Sequence, residues 1–238
     1  MRNTWVVFQR ELGRFFHSSL AYIILPVFLT LVAVFTLWFD DIFLQKVVSM
    51  RRVFFWTATL QLLLVPAITM RLLSEELRTG SYESLITLPI TEGQIVWGKY
   101  LAALALVSLA LLLTLTYPLT LSTMGALDWG PVFGGYLALF LLGATFCAIG
   151  TASSACTNNQ VVAFLLSLYL CLLPFALGFF LHRVPGALLP LAQYLSFEYH
   201  FNTLARGVLD SRNLIFTLSV AYLALEFATF ALVRRRFQ

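Results

Sequence analysis

The chain has 238 residues, of which 60% are hydrophobic, 15% aromatic and only 11% charged, with a mean hydropathy of +0.88. Soluble domains carry about a quarter charged residues, so a soluble fold is excluded and an all-α, polytopic membrane protein is expected as a single transmembrane domain over residues 1–238. The formal net charge of +4 gathers near helix ends, which reads as membrane topology and not as a nucleic-acid footprint.

Residues 1–19, "MRNTWVVFQRELGRFFHSS", place Trp5, Phe8, Leu12, Phe15 and Phe16 near one helical face and Arg2, Arg10, Glu11 and Arg14 on the other. That is the pattern of an amphipathic helix lying in the membrane interface. A cleaved signal peptide is disfavoured, because the apolar core that follows is too long and ends in "TLWFDD" without small cleavage-site residues. A spanning helix needs about 20 apolar residues, and six stretches qualify: 20–38, 53–70, 100–123, 132–154, 160–182 and 214–233. They consume nearly the whole length, so any soluble machinery belongs to a separate chain. Pro26, Pro118 and Pro174 interrupt three of them and read as ordinary kinks. Cys147, Cys156 and Cys171 lie in or beside apolar stretches without CxxC spacing, as packing residues and not as a disulfide frame or metal site.

With the N-terminus inside, nine basic residues fall on the cytoplasmic side (Arg2, Arg10, Arg14, Arg71, Arg78, Lys99, Arg234, Arg235, Arg236) and six outside (Lys46, Arg51, Arg52, Arg183, Arg206, Arg212). The bias, and "RRRF" directly after the last span, put both termini in the cytoplasm.

Between the second and third spans, residues 71–99 break the apolar pattern, with "SEELRTGSYESLITLPITEGQIVWGKY" over 74–100. Gly80 turns the chain out of the preceding helix, Ser81 caps a short helix through Leu88, and Pro89 stops it. Thr91 and Gln94 are spaced as a capping box for the third span. The result is a short helix held between two spans by a turn at each end. Gly93 to Lys99 also match the G-x-x-x-x-G-K spacing of a phosphate loop, but no strand precedes it, its middle is Gln-Ile-Val-Trp, and Tyr100 stands where a magnesium-binding hydroxyl belongs. Nucleotide binding there is rejected, and Lys99 reads as an anchor snorkelling at the interface.

Two further features stand out. Glu226, in "LALEFATF", is an ionisable group inside the last span, where its cost suggests a function, a hydrogen-bonded partner helix or protonation. Residues 183–213 contain an apolar run, "PGALLPLAQYLSF", too broken for a span, which is either an interfacial helix or a segment dipping back into the membrane. Two other function classes fit the residues less well. An intramembrane protease has serines in "GTASSAC" (Ser153, Ser154), yet His17, His182 and His200 lie near span ends. An ion-coupled secondary transporter requires inverted repeats and several buried charges, which the pattern lacks.

"EELRTGSYESLITLPIT" followed by "GKYLA" resembles the cytoplasmic signature of type-2 permeases of ATP-binding-cassette (ABC) transporters, with Glu76, Gly80, Glu83, Leu85, Pro89, Gly98 and Lys99 on family positions. Ser81 stands where threonine is common and Ile86 where leucine is. "YHFNTLARGVLDSRNLIF" is similar to the segment before the last span in the gliding-motility and nitrous-oxide-reductase accessory branch. The resemblance implies an exporter permease of the bacterial cytoplasmic (inner) membrane, not itself an enzyme. It binds no cofactor; ATP and Mg sit on a partner ABC ATPase present in two copies. A second permease copy or paralogue completes the pathway, membrane lipid surrounds it, and an accessory extracytoplasmic protein is compatible. The short helix becomes the ATPase-coupling element (Glu76, Gly80, Ser81, Glu83, Leu85, Leu88, Pro89), with Glu76 and Glu83 pairing with the ATPase or holding the element itself. Residues 183–213 become a re-entrant outer gate (Phe201, Leu204, Arg206, Gly207, Asp210).

Overall fold

Apolar side chains that continue round every face of a helix leave no side for water, and a chain built of such helices satisfies its backbone only within them. The computed structural model describes residues 2–39, 49–82, 89–125, 127–183, 185–186, 188–208 and 210–236, and among these it is helical with no strand. The expected coupling residues Glu83, Leu85 and Leu88 lie outside the described residues. The helices are α1 (Arg2–His17), α2 (Ser19–Val34, continued by a π-helical turn, Phe35–Phe39), α3 (Arg51–Thr69), α4 (Ser74–Thr79), α5 (Glu92–Leu113), α6 (Thr116–Met124), α7 (Trp129–Cys156), α8 (Gln160–Phe180), α9 (Leu189–Leu195), α10 (Phe197–Ala205) and α11 (Ser211–Arg236). Six segments are long and apolar enough to cross a membrane: Ala21–Trp38, Arg51–Thr79, Glu92–Thr123, Trp129–Cys156, Gln160–Arg183 and Ser211–Arg235. The chain is an all-α polytopic membrane protein.

α7 is the centre of the bundle, packed by α3, α5, α8, α10 and α11. Its sequence explains the closeness of α3 and α5. Gly135, Gly143 and Gly150 recur every seven or eight residues on α7; a Cβ at Gly135 would run into Phe54, one at Gly143 would sit 3.0 Å from Val107, and one at Gly150 would meet the Thr69 hydroxyl. Small residues at this spacing let helix backbones approach where lipid supplies no hydrophobic drive. The caps are local as well: Asp128 accepts the Gly130 N–H (3.1 Å) to start α7, and Asn159 accepts the Val161 N–H (2.9 Å) to start α8.

The third span is two helices, not one. Pro118 has no N–H to give to the carbonyl four residues earlier, Thr114, and that carbonyl instead accepts the Tyr117 N–H (3.0 Å) and the Tyr136 hydroxyl from α7 (2.9 Å). The chain accordingly breaks after Leu113 and restarts at Thr116. A further proline, Pro66, lies inside α3 and was not singled out in the sequence.

Candidate functional site

Both flanks of the polar interruption are fastened to α1. On the incoming side, Ser154 of α7 reaches across to α4: its hydroxyl accepts the N–H groups of Leu73 and Ser74, each at 3.0 Å, and donates to the Met70 carbonyl at 3.1 Å. The side chain satisfies two of the donors that the start of α4 leaves open. Ser153 donates to the Ile149 carbonyl (2.9 Å). Neither serine bonds a histidine among the described residues, so nothing there activates a nucleophile.

α4 carries Glu75 and Glu76 toward α1 and α5. Glu76 is 2% exposed, and its Oε1 lies 2.9 Å from the Lys99 ammonium, which is 1% exposed. The same ammonium is 3.1 Å from Oε1 of Glu11, 3% exposed. These are ion-pair distances without hydrogen-bond alignment to either oxygen. Arg10 donates to Glu76 Oε1 at 3.2 Å, and Arg14 stands 3.5 Å from Glu75 and 3.8 Å from Glu76. Three cations thus face three carboxylates from α1, α4 and α5, with the Glu11–Lys99–Glu76 core cut off from water. Burying charge is costly unless it is paired, and removing one member of a buried pair typically costs about 3–5 kcal/mol.

The remaining contacts clamp the outgoing flank. The capping box read from Thr91 and Gln94 is formed, with the Gln94 N–H on Thr91 Oγ1 at 3.4 Å and the Thr91 N–H on Gln94 Oε1 at 3.3 Å. Asn3 of α1 donates to the Pro89 carbonyl (3.3 Å) and to Gln94 Oε1 (3.4 Å). At Gly98 the two helices touch: a Cβ there would lie 2.7 Å from Val7 Cβ.

Three expectations change. Lys99 is no snorkelling anchor: α1 covers it, and its ammonium ends between two carboxylates rather than at the headgroups. Glu11 does not share a solvent face with Arg10 and Arg14, because Val7, Glu11 and Phe15 follow one another at four-residue spacing and are the buried line of α1, while Trp5 is 57% exposed. Cys156 is exposed, unlike Cys147 and Cys171. The G-x-x-x-x-G-K match lies within α5 from its first turn onward.

Of the other expected coupling residues, Gly80 closes α4 in the left-handed region (φ 72°) with open space around it. Ser81 is exposed and shares a hydrogen bond with Thr79 (2.9 Å). Pro89 is exposed apart from its carbonyl contact. Sequence reading did not single out Lys99, Glu11, Arg10 or Arg14 as site residues; the usable signal was Glu11 at helical spacing from Val7 and Phe15.

On the opposite face, α9 and α10 fold back into the bundle. Phe197, at the start of α10, packs edge-on against Phe146, 17 residues and about 25 Å along α7. Leu204 reaches Gly134, where a Cβ would be 2.6 Å from its carbonyl, and Gly207 (φ 84°) sits beside Gly130 and Pro131 at the α7 start. α10 therefore runs outward along α7 from an inner turn at Ser196, and is not laid on the surface. Phe201 and Leu204 are buried in this contact, and Arg206 is exposed. Asp210 caps α11 through the Arg212 N–H (2.9 Å). His200 is buried, with Nδ1 2.6 Å from Asn213 Oδ1, Nε2 2.9 Å from the Tyr194 carbonyl, and its ring stacked on Phe216. A recess of about 270 Å³, lined by Arg51, Phe54, Asp128, Phe201 and Arg206, opens beside this segment. Glu198 of α10 is held above the usual carboxylate range by burial, opposed by the Asn202 amide and the Arg206 charge. Glu226 is exposed on α11, one turn beyond Tyr222.

A search of curated proteins finds no match to the chain. The family model described as "ABC-2 family transporter protein" matches residues 15–238. With that match over a bundle of six candidate spans, the chain belongs to the ABC-2 transporter family, as a membrane permease component of an ABC transporter.

Proposed function

We propose that the chain is the permease subunit of an ATP-driven exporter, working as a dimer with a second copy or a paralogue and driven by two copies of a separate ABC ATPase that carry ATP and Mg. Residues 1–238 form one permease domain, in which 71–99 receive the ATPase and 183–213 form the outer gate. The chain sits in the bacterial inner membrane with both termini cytoplasmic. The closeness of "YHFNTLARGVLDSRNLIF" to the gliding-motility and nitrous-oxide-reductase accessory branch supports that branch assignment.

The observation that carries the coupling role is the clamp on both flanks of the interruption. Glu76 ties the incoming end to Arg10 of α1, Lys99 ties the outgoing end to Glu11 of the same helix and to Glu76, and Asn3 holds Pro89. A segment fixed at both ends passes on a push, whereas a loose loop absorbs it. Glu76 does this by bracing the segment from within, which leaves Glu83 for the ATPase contact.

The test is co-purification of the ATPase and its hydrolysis in the complex, at equal permease levels. Glu83→Lys is expected to weaken docking, since breaking a buried interfacial charge pair costs about 2–5 kcal/mol. Gly80→Val is expected to misdirect the segment, because a β-branched residue is strained at φ 72°. Normal binding and normal coupled hydrolysis in both variants would reduce residues 71–99 to an ordinary loop.

A further inference from the structure

On the α1 face, a polar recess and an apolar groove meet at Cys156, the last residue of α7. The recess is lined by Arg78 of α4, by Thr157, Asn158 and Asn159 of the turn into α8, and by Arg235 of α11. The groove, about 330 Å³, lies between α7, α8 and α11, and its walls include Ile149, Leu166, Leu170, Leu223 and Phe227. From Cys156 to Ile149 it descends about 10 Å along α7. Leu166, Leu170, Leu223 and Phe227 are all exposed at the surface of the bundle, so the groove opens sideways into hydrocarbon.

Among the described residues the charge of the recess is one-signed: two guanidinium groups and no carboxylate line it. Arg235 uses one nitrogen on Asn158 Oδ1 and another on the Cys156 carbonyl (2.7 Å), and among the described residues the rest of its five-donor fork is unspent. Arg78 is exposed and makes no ion pair among the described residues. A cationic cup directly above an apolar slot, at the depth where headgroups give way to acyl chains, matches a molecule with an anionic head and a hydrocarbon tail.

We propose that this composite site binds one anionic phospholipid of the leaflet on the α1 face, its phosphate between Arg78 and Arg235 and an acyl chain in the α7–α8–α11 groove. The site joins α4 to the ends of α7 and α11, so an occupied site adds a lipid contact to the flank of the coupling segment.

The experiment is titration of the delipidated full chain with phosphatidylglycerol or phosphatidylcholine, read by native mass spectrometry. N-ethylmaleimide alkylation of Cys156, the one exposed cysteine of the three, is followed in parallel. Phosphatidylglycerol is expected to bind more tightly than phosphatidylcholine and to slow alkylation. Arg78→Gln, which removes no helix cap, is expected to weaken binding on the order of fivefold, and Arg78→Gln with Arg235→Gln roughly twenty-five-fold. Leu166→Asp, placing a charge in the slot, weakens it without touching the cup, and glycerol 3-phosphate does not displace the lipid. Equal affinity for the two lipids, unchanged binding in the double variant, or full displacement by glycerol 3-phosphate each overturn the proposal. The first two outcomes mean annular contact and the third a plain anion site.

Discussion

Replacing Lys99 with methionine keeps most of the side-chain volume and removes the one cation buried between Glu11 and Glu76. Those carboxylate oxygens lie 3.1 and 2.9 Å from the ammonium, hence within about 6 Å of each other. At that separation and an effective dielectric of about 20, two bare charges repel by about 3 kcal/mol. Arg10 and Arg14 are half-exposed and offset only part of it, so a loss of about 3 kcal/mol, the low end for breaking a buried pair, is expected. For a domain of this size that is a fall in melting temperature of roughly 6–12 °C. A thiol-reactive fluorophore reports it directly in a Cys156→Ser background, since Cys147 and Cys171 are buried and react only on unfolding. Adding Glu11→Gln to Lys99→Met is expected to restore much of the loss, because one of the two facing charges is gone. If Lys99→Met melts within about 2 °C of the parent, or if the two substitutions are simply additive, the cluster is not the fastening described above.

At Gly98, leucine drives a side chain into Val7, where even a Cβ would be 2.7 Å away; the variant is expected to lose about 1–3 kcal/mol in the same assay and to release α1 to limited proteolysis. Glu198 tests pH linkage: its raised folded value means the folded state keeps a proton that the unfolded chain gives up near 4.5, so stability falls as pH rises from about 4.5 through the raised value. Glu198→Gln is expected to flatten that part of a melting-versus-pH curve. Single cysteines at Asp128 and Arg183 in a cysteine-free background are expected to react with an impermeant thiol reagent applied to intact cells, and one at Gln238 not; the reverse labelling inverts the topology.

What could be read in advance follows the range over which each feature is determined. Spans, caps and turns are written in contiguous residues: six apolar stretches, Thr91 with Gln94, and the left-handed Gly80 are all present, although the second span runs on to Thr79 and the third starts at Glu92. The break at Thr114 was half legible, since Pro118 announces a lost hydrogen bond, but beside the local Tyr117 N–H a second donor comes from Tyr136 on another helix. Lys99 shows the limit most plainly. By itself, a lysine after glycine at the head of an apolar helix looks like an interface anchor, because its long stem permits snorkelling. Its partners are 88 residues earlier on α1 and 23 residues earlier on α4, and only packing brings them to 3.1 and 2.9 Å. The local trace of that packing was present in α1, where Glu11 occupies the same helical line as Val7 and Phe15. A carboxylate on the line that packs against another helix demands a cation from the helix it meets. Gly98, immediately before Lys99, is the residue whose missing side chain lets that helix come close enough to supply it.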